Sequence, residues 1–177
     1  MTDFRLLVTG SRTFVRRTTT HDGLTIVAVL NEVAAEAAAA DYTGLVVVHG
    51  ACPDGGDYVA DGWALERQRL GWPVRPERHR ADWKRYGNPA GTRRNVRMVS
   101  RGGDRCVAFI DLCRRRTPGC LARPKHGTHG ASHCADKAEQ AGIPTSRYLT
   151  AALHEALAAV AAPITDLSSR RADAANH

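Results

Sequence analysis

At 177 residues the chain is long enough to bury a full hydrophobic core in one domain, and 43% hydrophobic with 24% charged residues is a soluble globular composition. No apolar run approaches the ~20 residues of a membrane-spanning helix, which excludes that class. The formal charge of +7 points to anionic partners, but only three of the 25 basic residues are lysine and the arginines are spread throughout. A phosphate-bearing small ligand therefore ranks ahead of nucleic acid.

The elements follow from periodicity and punctuation. Phe4 to Thr9 (FRLLVT) is a short apolar run ended by Gly10 and predicts a buried strand. Leu24 to Ala40 predicts a helix with Ile26, Leu30, Val33 and Ala37 on one face. Leu45 to His49 (LVVVH), mostly β-branched and stopped by Gly50, predicts a second strand. Asp57 to Leu70 predicts a helix burying Val59, Trp63 and Leu70, and Val74 to His79 a weaker third strand. Ala81 to Ala90 reads as loop from its Gly, Asn and Pro. Thr92 to Arg101 reads as a polar helix, and Arg105 to Ile110 (RCVAFI) as a fourth strand.

Cys113 to His126 has no apolar period and reads as a basic loop. Ser132 to Gln140 predicts a helix closed by Gly142. Ile143 to Leu149 predicts a fifth strand and Ala151 to Ala161 a final helix with Leu153, Leu157 and Val160 aligned. Strands apolar on both faces, alternating with helices, imply a parallel sheet covered on two sides. The expected fold is an α/β, Rossmann-like three-layer sandwich with a mainly parallel five-stranded sheet. Residues 1–162 form its single domain, with a basic Cys/His loop at 111–129, and 163–177 a flexible tail. MTDFRLLVTG carries no basic, then apolar, leader pattern, so the expected location is the cytoplasm.

In an open parallel sheet, ligands bind beyond the carboxyl ends of the strands. The residues just after each strand are Gly10-Ser11-Arg12, then Gly50 with Gly55, Gly56 and Asp57. The loop containing Trp83 and Tyr86 follows, leading to Arg94-Asn95, and last the segment HGTHGASHCAD (126–136). Glycine lets the backbone approach a phosphate, and a helix start offers free N–H groups to an anion. Gly130-Ala131-Ser132, opening the helix expected at Ser132, suits that role, and Trp83 or Tyr86 offers a stacking surface for a base. No P-loop and no complete G-x-G-x-x-G is present. Ser132-His133 with Asp136 is no triad, because adjacent helical residues point in different directions.

LLVTGSRTF, VVHGACPDGGD, ADW followed by AGTRRNVRM, VAFI and HGASHCADKAEQAGIP arrive in the order and spacing of the YspA-like family. The resemblance covers about residues 4 to 149. It implies membership of the SLOG superfamily, Rossmann-like proteins that include the Lonely Guy enzymes and the DprA fold. By that resemblance Gly10, Ser11 and Arg12 line a pocket floor, and Gly50, Gly55, Gly56 and Asp57 form a second loop. Arg94 and Asn95 supply polar contacts, and Gly130, Ala131, Ser132 and His133 form the phosphate loop. The implied ligand is a nucleotide or nucleotide-derived molecule, ADP-ribose-like or phosphoribosyl. The chain departs from the Lonely Guy enzymes at Cys134, which stands where their P-G-G-x-G-T-x-x-E motif has its glutamate. Losing that carboxylate favours binding over catalysis. The alternatives are a nucleotide-processing hydrolase and DprA-like nucleic-acid binding, and an oligomer is compatible with either.

The five cysteines (52, 106, 113, 120, 134) are odd in number and unevenly spaced, which suits reduced thiols or metal ligands better than disulfides. Cys113-x6-Cys120-x5-His126-x2-His129 offers four zinc-type ligands in a loop with few apolar residues. The spacing matches no standard finger, and Cys106 or His133 could replace a member. The competing reading is an arginine-rich flap with incidental thiols.

Overall fold

The computed structural model describes residues 2–14 and 21–161; the expected tail at 163–177 and the side chain of Val160 lie outside the described residues. Five strands form one parallel sheet: β1 (Phe4–Gly10), β2 (Leu45–His49), β3 (Val74–Arg78), β4 (Arg105–Ile110) and β5 (Thr145–Leu149), in the order β3-β2-β1-β4-β5. The helices are α1 (His21–Ala39), α2 (Gly56–Arg69), α3 (Trp83–Tyr86), α4 (Ala90–Ser100), α5 (Pro118–Leu121), α6 (His129–Gln140) and α7 (Ala151–Ala161). This is the expected Rossmann-like sandwich, with every strand pair parallel.

Strand alternation divides the core between the two faces. Leu6, Val8, Val47 and Phe109 pack with Ile26, Leu30 and Val33 of α1 and Val59 and Trp63 of α2. Leu7, Val46 and Val48 point the other way, onto Met98 of α4 and Cys134 and Ala138 of α6. Ala108 and Ile110 pack on Ala131, Ala135 and Leu153. Burial on both faces is why the strands read as continuous apolar runs, each large side chain contributing about 1.5–3 kcal/mol.

Four sequence expectations need correction. Leu70 is half exposed, because α2 ends at Arg69 and Gly71 turns the chain away with φ +82°. Leu157 of α7 is likewise partly exposed, while Leu153 alone of that pair reaches the core. The loop at 81–90 contains the single turn α3, whose N-cap Asp82 accepts a hydrogen bond from the Arg85 amide at 3.0 Å. The loop at 113–126 contains the single turn α5, with Pro118 at its start, where the missing N–H costs nothing.

One ion cluster ties the sheet together across β2. Arg5 of β1 donates from both Nη atoms to Glu77 of β3, at 3.0 and 3.1 Å, and His79 Nε2 lies 2.7 Å from Glu77 Oε1. Hydrogen bonding from Arg5 and then His79 outweighs burial and holds the Glu77 carboxyl at about 2, below its ordinary 4.5. The folded state thus keeps this carboxylate ionised where the unfolded chain protonates. Its stabilisation is present above pH 4.5 and is lost as pH falls from there through about 2. At 1.36 kcal/mol per pH unit the displacement corresponds to about 3 kcal/mol, reduced by solvent screening of a partly exposed pair to about 2 kcal/mol. Glu77→Gln is expected to lower stability by about that amount at pH 7 and to flatten the acid limb of an unfolding-versus-pH curve. An unchanged acid limb would contradict this.

Candidate functional site

The strand order reverses between β1 and β4, so the crevice at their carboxyl ends is the topological switch point. The chain leaving β1 is fastened there at once. The Ser11 amide donates to the Phe109 carbonyl at 2.9 Å, extending the β1–β4 pairing. The Ser11 hydroxyl accepts from the Asp111 amide at 2.9 Å and makes a short hydrogen bond with the Thr128 hydroxyl. Arg12 and Thr13 are exposed beside it, with Thr13 Oγ1 donating to Asp111 Oδ2 at 2.6 Å.

Asp111 is the hub of this crevice. Its other oxygen accepts from Thr150 Oγ1 at 2.8 Å and from the Leu112 amide at 2.7 Å. Burial pushes its carboxyl up, but hydrogen bonds from Thr13, Thr150 and Leu112 outweigh it and leave it below the usual value. Asp111 is therefore an ionised carboxylate with both oxygens engaged, suited to holding loops and not to donating a proton.

The loop after β2 packs directly on the loop after β1. A Cβ on Gly10 would lie 2.5 Å from the Gly56 Cα, and one on Gly55 (φ +73°) would overlap the Ser11 carbonyl oxygen. These glycines thus close backbone on backbone within the protein. Gly50 does something different: the Arg94 guanidinium lies where its Cβ would be.

Arg94 is held on that floor. Its Nη1 is 3.4 Å from the His79 carbonyl and 3.7 Å from Asp57 Oδ2, and its Nε donates to Asn95 Oδ1 at 2.9 Å. Asn95, buried, passes the connection on by donating to the Gly130 carbonyl at 3.0 Å. Asp57 is buried and accepts from the Cys52 amide at 3.3 Å. Burial pushes its carboxyl up, opposed by Arg94, His49 and the Cys52 and Gly10 amides. His49 accepts from the Ala51 amide at 3.3 Å, and its Nε2 lies 3.0 Å from Asp61 Oδ1 without hydrogen-bond geometry. Burial holds its imidazole below the usual value.

α6 begins at His129, not Ser132, with Thr128 in the extended conformation of an N-cap. Threonine is a common N-cap, a signal present in the sequence. Gly130 is exposed with open space above it, Ser132 is half-buried, and Ala131 is turned into the core. His133 Nδ1 lies 3.5 Å from Asn95 Nδ2. Cys134 is fully buried, and desolvation pushes its thiol up to about 11. It can serve neither as nucleophile nor as proton carrier near neutral pH.

One contiguous set therefore joins Gly10, Ser11, Arg12, Gly50, Gly55, Gly56, Asp57, Arg94, Asn95 and Gly130 at the sheet's C-terminal edge. Trp83 stands apart, half exposed, its ring tip near Gly91 of α4. Beside Arg94 opens a cleft of about 190 Å3 lined by Arg80, Tyr86, Arg93 and Arg97, with Asp82 its lone carboxylate. Arg93 stacks on Tyr86 at 4.7 Å from the ring centroid. Arg80 has no signal in the sequence, whereas Arg93, Arg94 and Arg97 at helical spacing already mark a basic face.

Cys113, Cys120, His126 and His129 also come together. Their ligand atoms all lie within 4.8 Å of one another, a group able to hold a metal ion.

The family model described as YspA, cpYpsA-related SLOG family matches residues 4–86. The "Gene 61 protein" of Mycobacterium phage D29 is 40% identical over 144 residues, covering 81% of this chain and 95% of the phage protein. No solved structure matches. Among the described residues, no helix is long and apolar enough to cross a membrane.

Proposed function

As the chain belongs to the YspA, cpYpsA-related SLOG family, whose membership carries nucleotide-related ligand binding at a coarse level, we propose that it binds an ADP-ribose-like or phosphoribosyl ligand in the cytoplasm. The ligand lies along the C-terminal edge of β1, β2 and β4. Its phosphate is taken by Arg12, Arg94 and the first turn of α6 at Gly130 to His133. The carrying observation is that loops far apart in sequence converge there on Arg94, whose guanidinium is bedded on Gly50 and flanked by an arginine-lined cleft. That cleft is smaller than the ~300 Å3 of a typical small-molecule pocket, so it suits a phosphate or ribose-phosphate end, with the remainder lying outside. Tyr86, already stacked by Arg93, is the aromatic nearest that end, and Trp83 is left for a more distant base.

Binding is favoured over turnover because two acid–base candidates at this edge are spoken for. Asp111 has both oxygens occupied, and Cys134 is sealed in the core. Calorimetric titration with AMP, ADP-ribose and NAD is expected to show saturable binding to at least one. Arg12→Ala or Arg94→Ala should weaken it about 10- to 100-fold, the range for a charge-assisted hydrogen bond. Absence of saturable binding, or wild-type affinity in both variants, would refute the site. Product release during the titration would instead favour the hydrolase, and gel shifts weakening steeply with salt would favour the DprA-like alternative.

A further inference from the structure

The strap between β4 and α6, residues 112–129, is longer than loops that hold their shape unaided. Its side chains offer almost nothing to pack. Arg114 through Gly119 and Leu121 through Lys125 are exposed, and Leu112 and Cys113 are only half-buried. Within it the one buried side chain is Cys120. Yet the strap has a defined course: Leu112 bridges to Gly127, and the Cys113 amide donates to the His126 carbonyl at 2.8 Å.

The geometry points to a structural zinc ion held by Cys113 Sγ, Cys120 Sγ, His126 Nε2 and His129 Nε2. Zinc–sulfur bonds of about 2.3 Å and zinc–nitrogen bonds of about 2.0–2.1 Å require tetrahedral edges of roughly 3.8 Å between sulfurs and roughly 3.3 Å between nitrogens. The two sulfurs here are 3.9 Å apart, the two Nε2 atoms 3.1 Å, and Cys120 Sγ and His129 Nε2 3.3 Å. An oxygen-seeking ion such as magnesium or calcium is excluded by a set with no oxygen ligand.

The second shell suits the same assignment. His126 Nδ1 lies 2.8 Å from the Pro124 carbonyl, so Nδ1 carries the proton and the Nε2 lone pair faces the other three ligands. Four protein ligands leave no open position, so the ion is structural and not catalytic. Two thiolates also neutralise the dication, adding no charge to a strap that already holds Arg114, Arg115, Arg116, Arg123 and Lys125.

Position gives the ion its consequence. His129 is the first residue of α6, and the preceding Thr128 bonds to the Ser11 hydroxyl while its amide donates to the Asp111 carbonyl at 2.9 Å. Zinc therefore clamps the start of α6 to the switch-point crevice. The assignment stands on the strap alone, whatever the neighbouring edge binds.

The test is elemental analysis of the full chain, purified without a histidine tag or chelator and reconstituted with zinc. About one zinc per chain is expected, retained by Cys52→Ser and lost in the Cys113→Ser/Cys120→Ser double variant. Cobalt(II) replacement should give the intense visible bands of a tetrahedral ion and near-ultraviolet thiolate charge transfer. The unsubstituted chain decides the question even if the double variant fails to fold. Zinc far below one per chain with a weak octahedral cobalt spectrum overturns the site, as does zinc retained without Cys113 and Cys120.

Discussion

Gly10→Ala, at the end of β1, is expected to destabilise the protein by about 2–3 kcal/mol, while Gly62→Ala, inside α2, should stabilise it by about 0.5–1 kcal/mol. The same added methyl group meets opposite surroundings. At Gly10 it would sit 2.5 Å from the Gly56 Cα and 2.7 Å from its amide nitrogen, both main chain that cannot rotate aside. Either β1 or the start of α2 must move, and α2 is anchored below by buried Val59, Ala60 and Trp63. At Gly62 nothing lies within 4 Å, so alanine brings only its better helix propensity. Urea unfolding of both variants reads the two signs directly. A Gly10→Ala cost below about 0.5 kcal/mol would mean that the two loops are not in backbone contact.

Asp57→Ala is expected to cost about 3 kcal/mol or more. It strands the mostly buried Arg94 guanidinium without its counter-charge and leaves the Cys52 amide unpaired. Combined with Arg94→Ala the loss should be clearly less than additive, since the second substitution removes the charge that the first leaves unbalanced. Asp57→Asn should be milder, because it keeps an acceptor for the Cys52 amide.

Asp57→Asn also separates a pH effect whose sign is opposite to that of Glu77. Burial raises the Asp57 carboxyl above its ordinary 3.8, so the folded state holds this proton to higher pH than the unfolded chain. Its contribution to stability is therefore full below pH 3.8 and is lost as pH rises from there through the folded value. The asparagine variant should lack that decline, so the stability gap between it and the natural chain narrows with rising pH across that window. Additive Asp57 and Arg94 effects, or a gap that widens there, would remove the pair from the account.

Much of this architecture was legible in the residues. LVVVH and RCVAFI form strands with the expected bounds because each is apolar on both faces and ends where the side-chain character changes. Ile26, Leu30, Val33 and Ala37 are all buried, as their spacing on one helical face requires. The expectations failed where a residue's surroundings, and not its neighbours in sequence, decide its fate. Leu70 is apolar and in phase with Val59 and Trp63, yet it falls just past the end of its helix and finds no partner surface.

The candidate site was legible as a set of loops and illegible as a set of contacts. Gly10-Ser11-Arg12, Gly55-Gly56 and Arg94-Asn95 could be picked out because they follow strands or open helices. That Gly10 closes on Gly56, or that Ser11 meets Thr128 across 117 residues, has no local signature. Asp111 was overlooked for the same reason: an aspartate after a strand is unremarkable until Thr13 and Thr150 arrive from 98 residues before it and 39 after it. The four metal-type ligands could be named from their spacing, but convergence within 4.8 Å needs the strap folded back between Leu112 and Gly127.

Hydrophobic periodicity and turn residues act over about ten positions, and over that range they settle which segments become strands and helices. The order β3-β2-β1-β4-β5 is a property of the closed core, set by how α1 and α2 cover one face while α4 and α6 cover the other. That order puts β1 beside β4 and brings Ser11, Asp111 and Thr128 into one crevice, because hydrogen bonding and close packing act over a few ångströms of space whatever length of chain lies between.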